Sequence, residues 1–139
     1  MFILDTNVLS ELMNIEGASI VLEWVDAIPE SDLFTTALNY AEIWYGIAIM
    51  EEGRRKRKLI RSAQAMFNED FPGRILAFDE RAALHFADIA ARRKRLGRRV
   101  ETLDSQIAAI ARANEMTIVT RNVSHFRGCN VPVVDPWAT

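Results

Sequence analysis

Phe2-Ile3-Leu4-Asp5-Thr6-Asn7-Val8-Leu9 reads as a short strand that ends in a carboxylate and turns directly into a helix. Three apolar residues in a row suit a strand covered on both faces, and a polar Asp-Thr-Asn step suits a helix start. The same grammar recurs outward from this stretch. Strands are predicted at 2–4, 33–35, 75–78, 117–119 and 131–134, and helices at 8–13, 19–27, 37–51, 54–71, 81–96 and 105–114. Strands separated by helices require crossover connections, which gives an α/β fold with a central, mostly parallel sheet between helical layers. In such sheets ligands sit beyond the carboxyl ends of the strands, where strand order reverses, and Asp5 falls at such an end.

A chain of 139 residues, half of them hydrophobic, is sized for one domain, 1–139, with a single core. Its opening residues lack a positive segment, and Asp5 and Glu11 interrupt the apolar run, so a secretory signal is not expected. No apolar stretch approaches the roughly 20 residues of a bilayer span, so no membrane association is expected. The lone Cys129 has no disulfide partner and no zinc-ligand neighbours in sequence, and a cytoplasmic setting is expected. HExxH, CxxC, GxSxG and Gly-rich phosphate-loop patterns do not occur. The net charge of −2 conceals an uneven distribution. Arg54, Arg55, Lys56, Arg57, Lys58 and Arg61 form one basic cluster, and Arg92, Arg93, Lys94, Arg95, Arg98 and Arg99 another, together 12 of the 17 Lys and Arg residues. Such clusters are either solvated helix faces or tracks for a phosphate backbone, with Arg54, Arg55, Lys56, Arg57, Arg92, Arg93 and Lys94 the RNA-contacting candidates.

Three acids stand in apolar frames: Asp5, Glu42 within Tyr40-Ala41-Glu42-Ile43-Trp44, and Asp104 within Leu103-Asp104-Ser105-Gln106-Ile107. Burying a lone carboxylate is costly, so each needs a donor, a cation or a metal ion. If they converge they form a hard, oxygen-rich site suited to Mg²⁺ or Mn²⁺. Helix capping competes as an explanation for Asp5 and for Asp104, the latter alongside Thr102, and is the favoured reading of Asp79. Glu42 is harder to explain that way, because Leu38, Asn39, Tyr45 and Gly46 offer it no basic partner; with Leu38, Tyr45 and Ile49 it forms a stripe expected to face inward. His85, beside Phe86, is expected to pack rather than ligate. Trp24 and Trp44-Tyr45 are expected in the core, and Trp137 stays open.

Taken in order, Leu4-Asp5-Thr6-Asn7-Val8-Leu9-Ser10, Ala41-Glu42-Ile43 with Gly46, Asp104-Ser105-Gln106-Ile107-Ala108-Ala109, Thr120-Arg121-Asn122 with Phe126, and Val134-Asp135-Pro136-Trp137 resemble PIN-domain proteins of the VapC/FitB type over essentially the whole chain. The resemblance implies a PIN-like three-layer α/β/α sandwich and a metal-dependent ribonuclease that is the toxin of a type II toxin–antitoxin pair. It implies an RNA substrate, a homodimer, and a cognate antitoxin whose tail blocks the active site while its DNA-binding domain docks on promoter DNA, in a larger assembly. Asp5, Glu42 and Asp104 match three of the family's acidic positions and Thr120 its adjacent hydroxyl, with Asn7 and Asn122 supporting. The family's further acid falls at Asn122 in some members or His125 in others; both are non-acidic here, which removes charge that a second ion would use.

One Mg²⁺ or Mn²⁺ is thus expected on Asp5 and Asp104, with Glu42 ligating or orienting a water that attacks the phosphodiester. Removing charge from the cluster, as in Asp5→Asn or Asp104→Asn, is expected to leave the fold intact or stabilised. Two rivals are a PIN-like module that binds RNA or antitoxin without cutting, and an acid-cluster phosphatase, the second disfavoured because Asn7 stands where its second acid belongs.

Overall fold

The computed structural model describes residues 1–14 and 17–138. Five parallel strands form one sheet: β1 (Phe2–Leu4), β2 (Leu33–Thr36), β3 (Ile75–Leu76), β4 (Thr117–Val119) and β5 (Val133–Val134), in the order β3-β2-β1-β4-β5. The crossovers carry α1 (Thr6–Met13), α2 (Ser19–Asp26), α3 (Ala37–Ala48), α4 (Arg54–Ala65), α5 (Glu80–Arg95) and α6 (Thr102–Ala113). Alternation along the strands separates two cores. On β1 and β4, Ile3 and Ile118 point to a layer built by α5 and α6 with Ile89, Ile107 and Ile110. Leu4 and Val119 point the other way, to Val8, Leu9, Val21, Ile43, Ile47 and Phe67 from α1 to α4. This is the three-layer α/β/α arrangement expected of a parallel sheet, in which strand side chains are buried on both faces.

β1 pairs with β2 on one side, Phe2 opposite Leu33, and with β4 on the other, Phe2 opposite Thr117. The chain therefore leaves β1 in one direction and returns to its other edge through β4, so the reversal of strand order lies between them. Among the described residues no helix is long and apolar enough to cross a membrane.

Several expected boundaries shift for identifiable reasons. The helix expected over 54–71 ends as α at Ala65 and continues as one π turn, Met66–Asp70, which seats Met66 and Phe67 in the core. The helix expected from 105 begins at Thr102, which puts Asp104 in its first turn. The buried face of α3 is Asn39, Ile43 and Ile47 rather than the Leu38–Tyr45–Ile49 stripe; Tyr45 and Ile49 are about two-thirds exposed. This helix is apolar almost all round, so periodicity does not select its inner face. His85 is half-buried, and Asp79 caps α5 by accepting from the Ala82 N–H.

Candidate active site

Asp5 ends β1 and caps α1 while lying almost wholly buried. Its Oδ1 accepts the Thr6 N–H at 2.9 Å and the Asn39 amide at 2.8 Å; its Oδ2 accepts the Thr120 hydroxyl at 2.7 Å. The capping reading is therefore realised, in a carboxylate that also lines the cavity at the strand ends. Thr120 comes from the carboxyl end of β4. Its hydroxyl donates to Asp5 and accepts from the Asn7 amide and the Asn122 N–H, both at 3.1 Å. One donor and two lone pairs are all a hydroxyl has, so Thr120 is a positioning group.

Asn39 completes the frame and was not singled out by sequence reasoning. Thr36 caps α3 by accepting the Asn39 N–H, and its hydroxyl donates to the Asn39 carbonyl at 2.6 Å, which turns the amide toward Asp5 and Thr6. The available signal was a Thr-x-x-Asn pair at a helix start, with the Asn one turn before Glu42. Glu42 finds its donor in Thr6, whose hydroxyl gives a 2.9 Å bond to Oε1. Burial pushes the Glu42 carboxyl above the ordinary range, the Thr6 bond offsets part of that, and the charges of Asp5 and Asp104 raise it further. Asp104 is also raised, first by burial and then by Asp5 and Glu101, while His125 pulls it back. The His125 Nδ1 lies 3.3 Å from Asp104 Oδ2.

Asp5, Thr6, Asn7, Glu42, Asp104, Asn122 and His125, with Glu101 and Leu103, line one cavity of about 420 Å³ at the strand ends. Among the described residues no three acidic, histidine or cysteine side chains are drawn together closely enough to hold an ion as they stand. The donor chemistry nonetheless fits a hard divalent cation. Asp5 Oδ2 keeps one lone pair, Glu42 has an oxygen beyond its Thr6 bond, and the burial and neighbouring acids that raise Glu42 and Asp104 leave carboxylates whose charge a dication would compensate.

The basic candidates separate. Arg54, Arg55, Arg57, Lys58 and Arg61 are exposed on α4, and Arg55 and Lys58 line a groove of about 750 Å³ that shares Thr6 and Glu42 with the acidic cavity. Lys56 leaves the set: it folds back onto the Ala48 and Met50 carbonyls at and just past the end of α3 and pairs with Glu52. Arg93 leaves it as well, being only 8% exposed and bonded to the His125 and Arg127 carbonyls and to Cys129 Sγ. Ile89, one turn earlier, had already marked that face as buried. Arg92 and Lys94 remain at the surface, with Arg92 lining a separate cavity that includes Arg127.

A family model described as "PIN domain" matches residues 2–127. The chain is 34% identical over 137 residues to "Toxin FitB" of Neisseria gonorrhoeae, covering 99% of each chain. It is also 34% identical over 137 residues to "VapC ribonuclease Y4jK" of Sinorhizobium fredii, covering 99% of this chain and 98% of that one. Its fold matches a chain in "Structure of FitAB bound to IR36 DNA fragment" with a TM-score of 0.90 and 34% identity, over 99% of this chain and 96% of the other.

Proposed function

From the premise that this chain belongs to the PIN-domain family, we propose that it is a metal-dependent ribonuclease and the toxin of a type II toxin–antitoxin pair. The observation that carries the reading is the convergence of Asp5, Glu42 and Asp104, from β1, α3 and α6, on one cavity at the strand-order reversal. The relatives named as a toxin and as a ribonuclease support it. Asp5, Asp104 and Glu42 would hold Mg²⁺ or Mn²⁺, which supplies Lewis acidity toward a phosphodiester oxygen and an incoming water. The chain's own groups set the stage. Asn39, Thr120 and the Thr6 N–H fix Asp5; Thr6 aims Glu42; Asn7 ties α1 to the end of β4 through Thr120 and the Arg121 N–H. The exposed arginines and lysine of α4 offset the repulsion between this acidic cavity and an RNA phosphate.

A partner encoded beside it follows from the same reading, since a relative's complex is described with bound DNA. We expect a small antitoxin with a DNA-binding domain that presents an Arg to the acidic cavity, where its planar fork satisfies two carboxylate oxygens in place of the ion. A homodimer is expected on the same ground. The test is incubation of antitoxin-free protein with structured and unstructured RNAs in Mg²⁺, Mn²⁺ or EDTA, with Asp104→Asn alongside. Cleavage that needs the ion and Asp104 supports the reading; cleavage that survives EDTA, or none with any RNA, overturns it.

A further inference from the structure

The acidic cavity repels the polyanion it is proposed to cut, so something fixed and cationic must sit next to it. The exposed arginines of α4 border the neighbouring groove, and several others are committed elsewhere. Arg74 bonds the Leu33 and Asp70 carbonyls, Arg112 pairs with Asp88, Arg81 bonds the Ala113 carbonyl, and Arg93 is buried. Arg121 differs. It directly follows Thr120, its N–H donates to Asn7 Oδ1 at 3.2 Å, and its chain neighbour Asn122 lines the acidic cavity, so its backbone forms part of the rim. It is exposed and, among the described residues, pairs with no carboxylate.

Instead its guanidinium lies over the indole of Trp137, 5.2 Å from the ring centroid. Trp137 is itself held: its N–H donates to Asp135 Oδ1 at 2.9 Å, and its ring packs on the core layer of α1 to α4. A guanidinium stacked on an aromatic face keeps its edge donors free and loses little further rotamer freedom on binding. A planar donor fork of this kind, resting on an aromatic face and attached to a residue whose backbone borders the acidic cavity, suits a phosphodiester oxygen pair. We propose that Arg121 binds a backbone phosphate of the RNA strand next to the acidic cavity, and that Trp137 is the positioning residue that holds it there. This rests on the ribonuclease reading above.

The test uses full-length protein and a short labelled single-stranded RNA in EDTA, where binding is read without cleavage, followed by steady-state kinetics in Mg²⁺. Arg121→Ala should lower the slope of log K against log salt by about 0.7, the loss of one single-strand phosphate contact. It should raise KM on the order of three- to tenfold with kcat nearly unchanged and thermal midpoint unmoved, since the side chain is exposed. Arg121→Lys should restore part of the affinity. Trp137→Leu should weaken binding in the same direction, Trp137→Phe should preserve most of it, and Trp137→Leu should add nothing in the Arg121→Ala background. A wild type that binds RNA with the same slope as Arg121→Ala overturns the proposal, and additive losses overturn the role of Trp137. A wild type that neither binds nor cuts RNA fails at the earlier step, the ribonuclease reading, and is told apart by that.

Discussion

Asp5 and Asp104 are the same side chain facing the same cavity, yet they are built in opposite ways. Asp5 is 6% exposed and accepts three hydrogen bonds from groups that are themselves tied down. Asp104 sits in the first turn of α6 with its Oδ2 3.3 Å from His125 Nδ1, and its carboxyl is raised by burial and by Asp5. One carboxylate is part of the frame, and the other is poorly compensated. On the proposed reading, Asp5 would be the fixed reference point of a metal site and Asp104 the carboxylate whose penalty an ion would relieve.

The largest expected effect removes either charge. On the proposed ribonuclease reading, Asp5→Asn and Asp104→Asn should each cut RNA cleavage on the order of 10³-fold or more, because both would supply charge to the ion. The contrast appears in the metal-free protein. Asp104→Asn should raise the thermal midpoint by relieving repulsion, whereas Asp5→Asn should lower stability by about 1–3 kcal/mol, since an amide NH₂ in place of Oδ2 would face the Thr120 hydroxyl proton. This revises the expectation from sequence that both neutralisations leave the fold unharmed. Chemical denaturation in EDTA checks it, and equal signs in the two variants would break the comparison.

Next in size is Thr120→Val, which strands Asp5 Oδ2, the Asn7 amide and the Asn122 N–H together. About 2 kcal/mol of stability should be lost, more than for the isosteric change at an exposed threonine such as Thr102. Urea midpoints of the two variants decide it.

A pH series sharpens the other wall. Glu42 and Asp104 both have folded-state pKa values above the ordinary range, so the folded protein holds their protons more tightly than the unfolded chain does. Their favourable contribution is full below the ordinary carboxylate values of 4.5 and 3.8 and is lost as pH rises through the raised values. Above that window the penalty persists. The metal-free stability difference between Glu42→Gln and wild type should therefore grow over the same window in favour of the variant, and shrink when Mg²⁺ is added. The smallest effect belongs to His125→Ala, which removes the group that pulls Asp104 down and should shift the Asp104 titration, followed by NMR, further upward.

Much of this was legible because local rules and the fold agree. The strand-then-helix start around Asp5 specifies a strand end, and a parallel sheet makes strand ends the place for chemistry. Glu42 stood out because nothing on its own helix could neutralise it. What stayed hidden is tertiary. Thr6 reaches Glu42 only after α1 and α3 pack, and Asn39 turns toward Asp5 only because Thr36 caps its helix. Lys56 and Arg93 sit within basic runs that read as surface, yet carbonyls at a helix end and in a loop claim them. Arg121 and Trp137 each looked ordinary alone; their stacking depends on the last strand bringing the end of the chain back beside β4.

The central position of β1 also sets a timetable for synthesis. β1 is emitted early, but its partner β4 follows more than a hundred residues later, and Asp5 meets Thr120 across a sequence separation of 115. Until β4 leaves the ribosome, one edge of β1 is open and α6 has no finished sheet to cover, so a nascent chain that already contains Asp5 and Glu42 has no assembled cavity. The cavity at the strand ends is consequently completed only in a late step of synthesis. A truncated product ending before β4 carries all three acids but lacks Thr120, whose hydroxyl fixes Asp5.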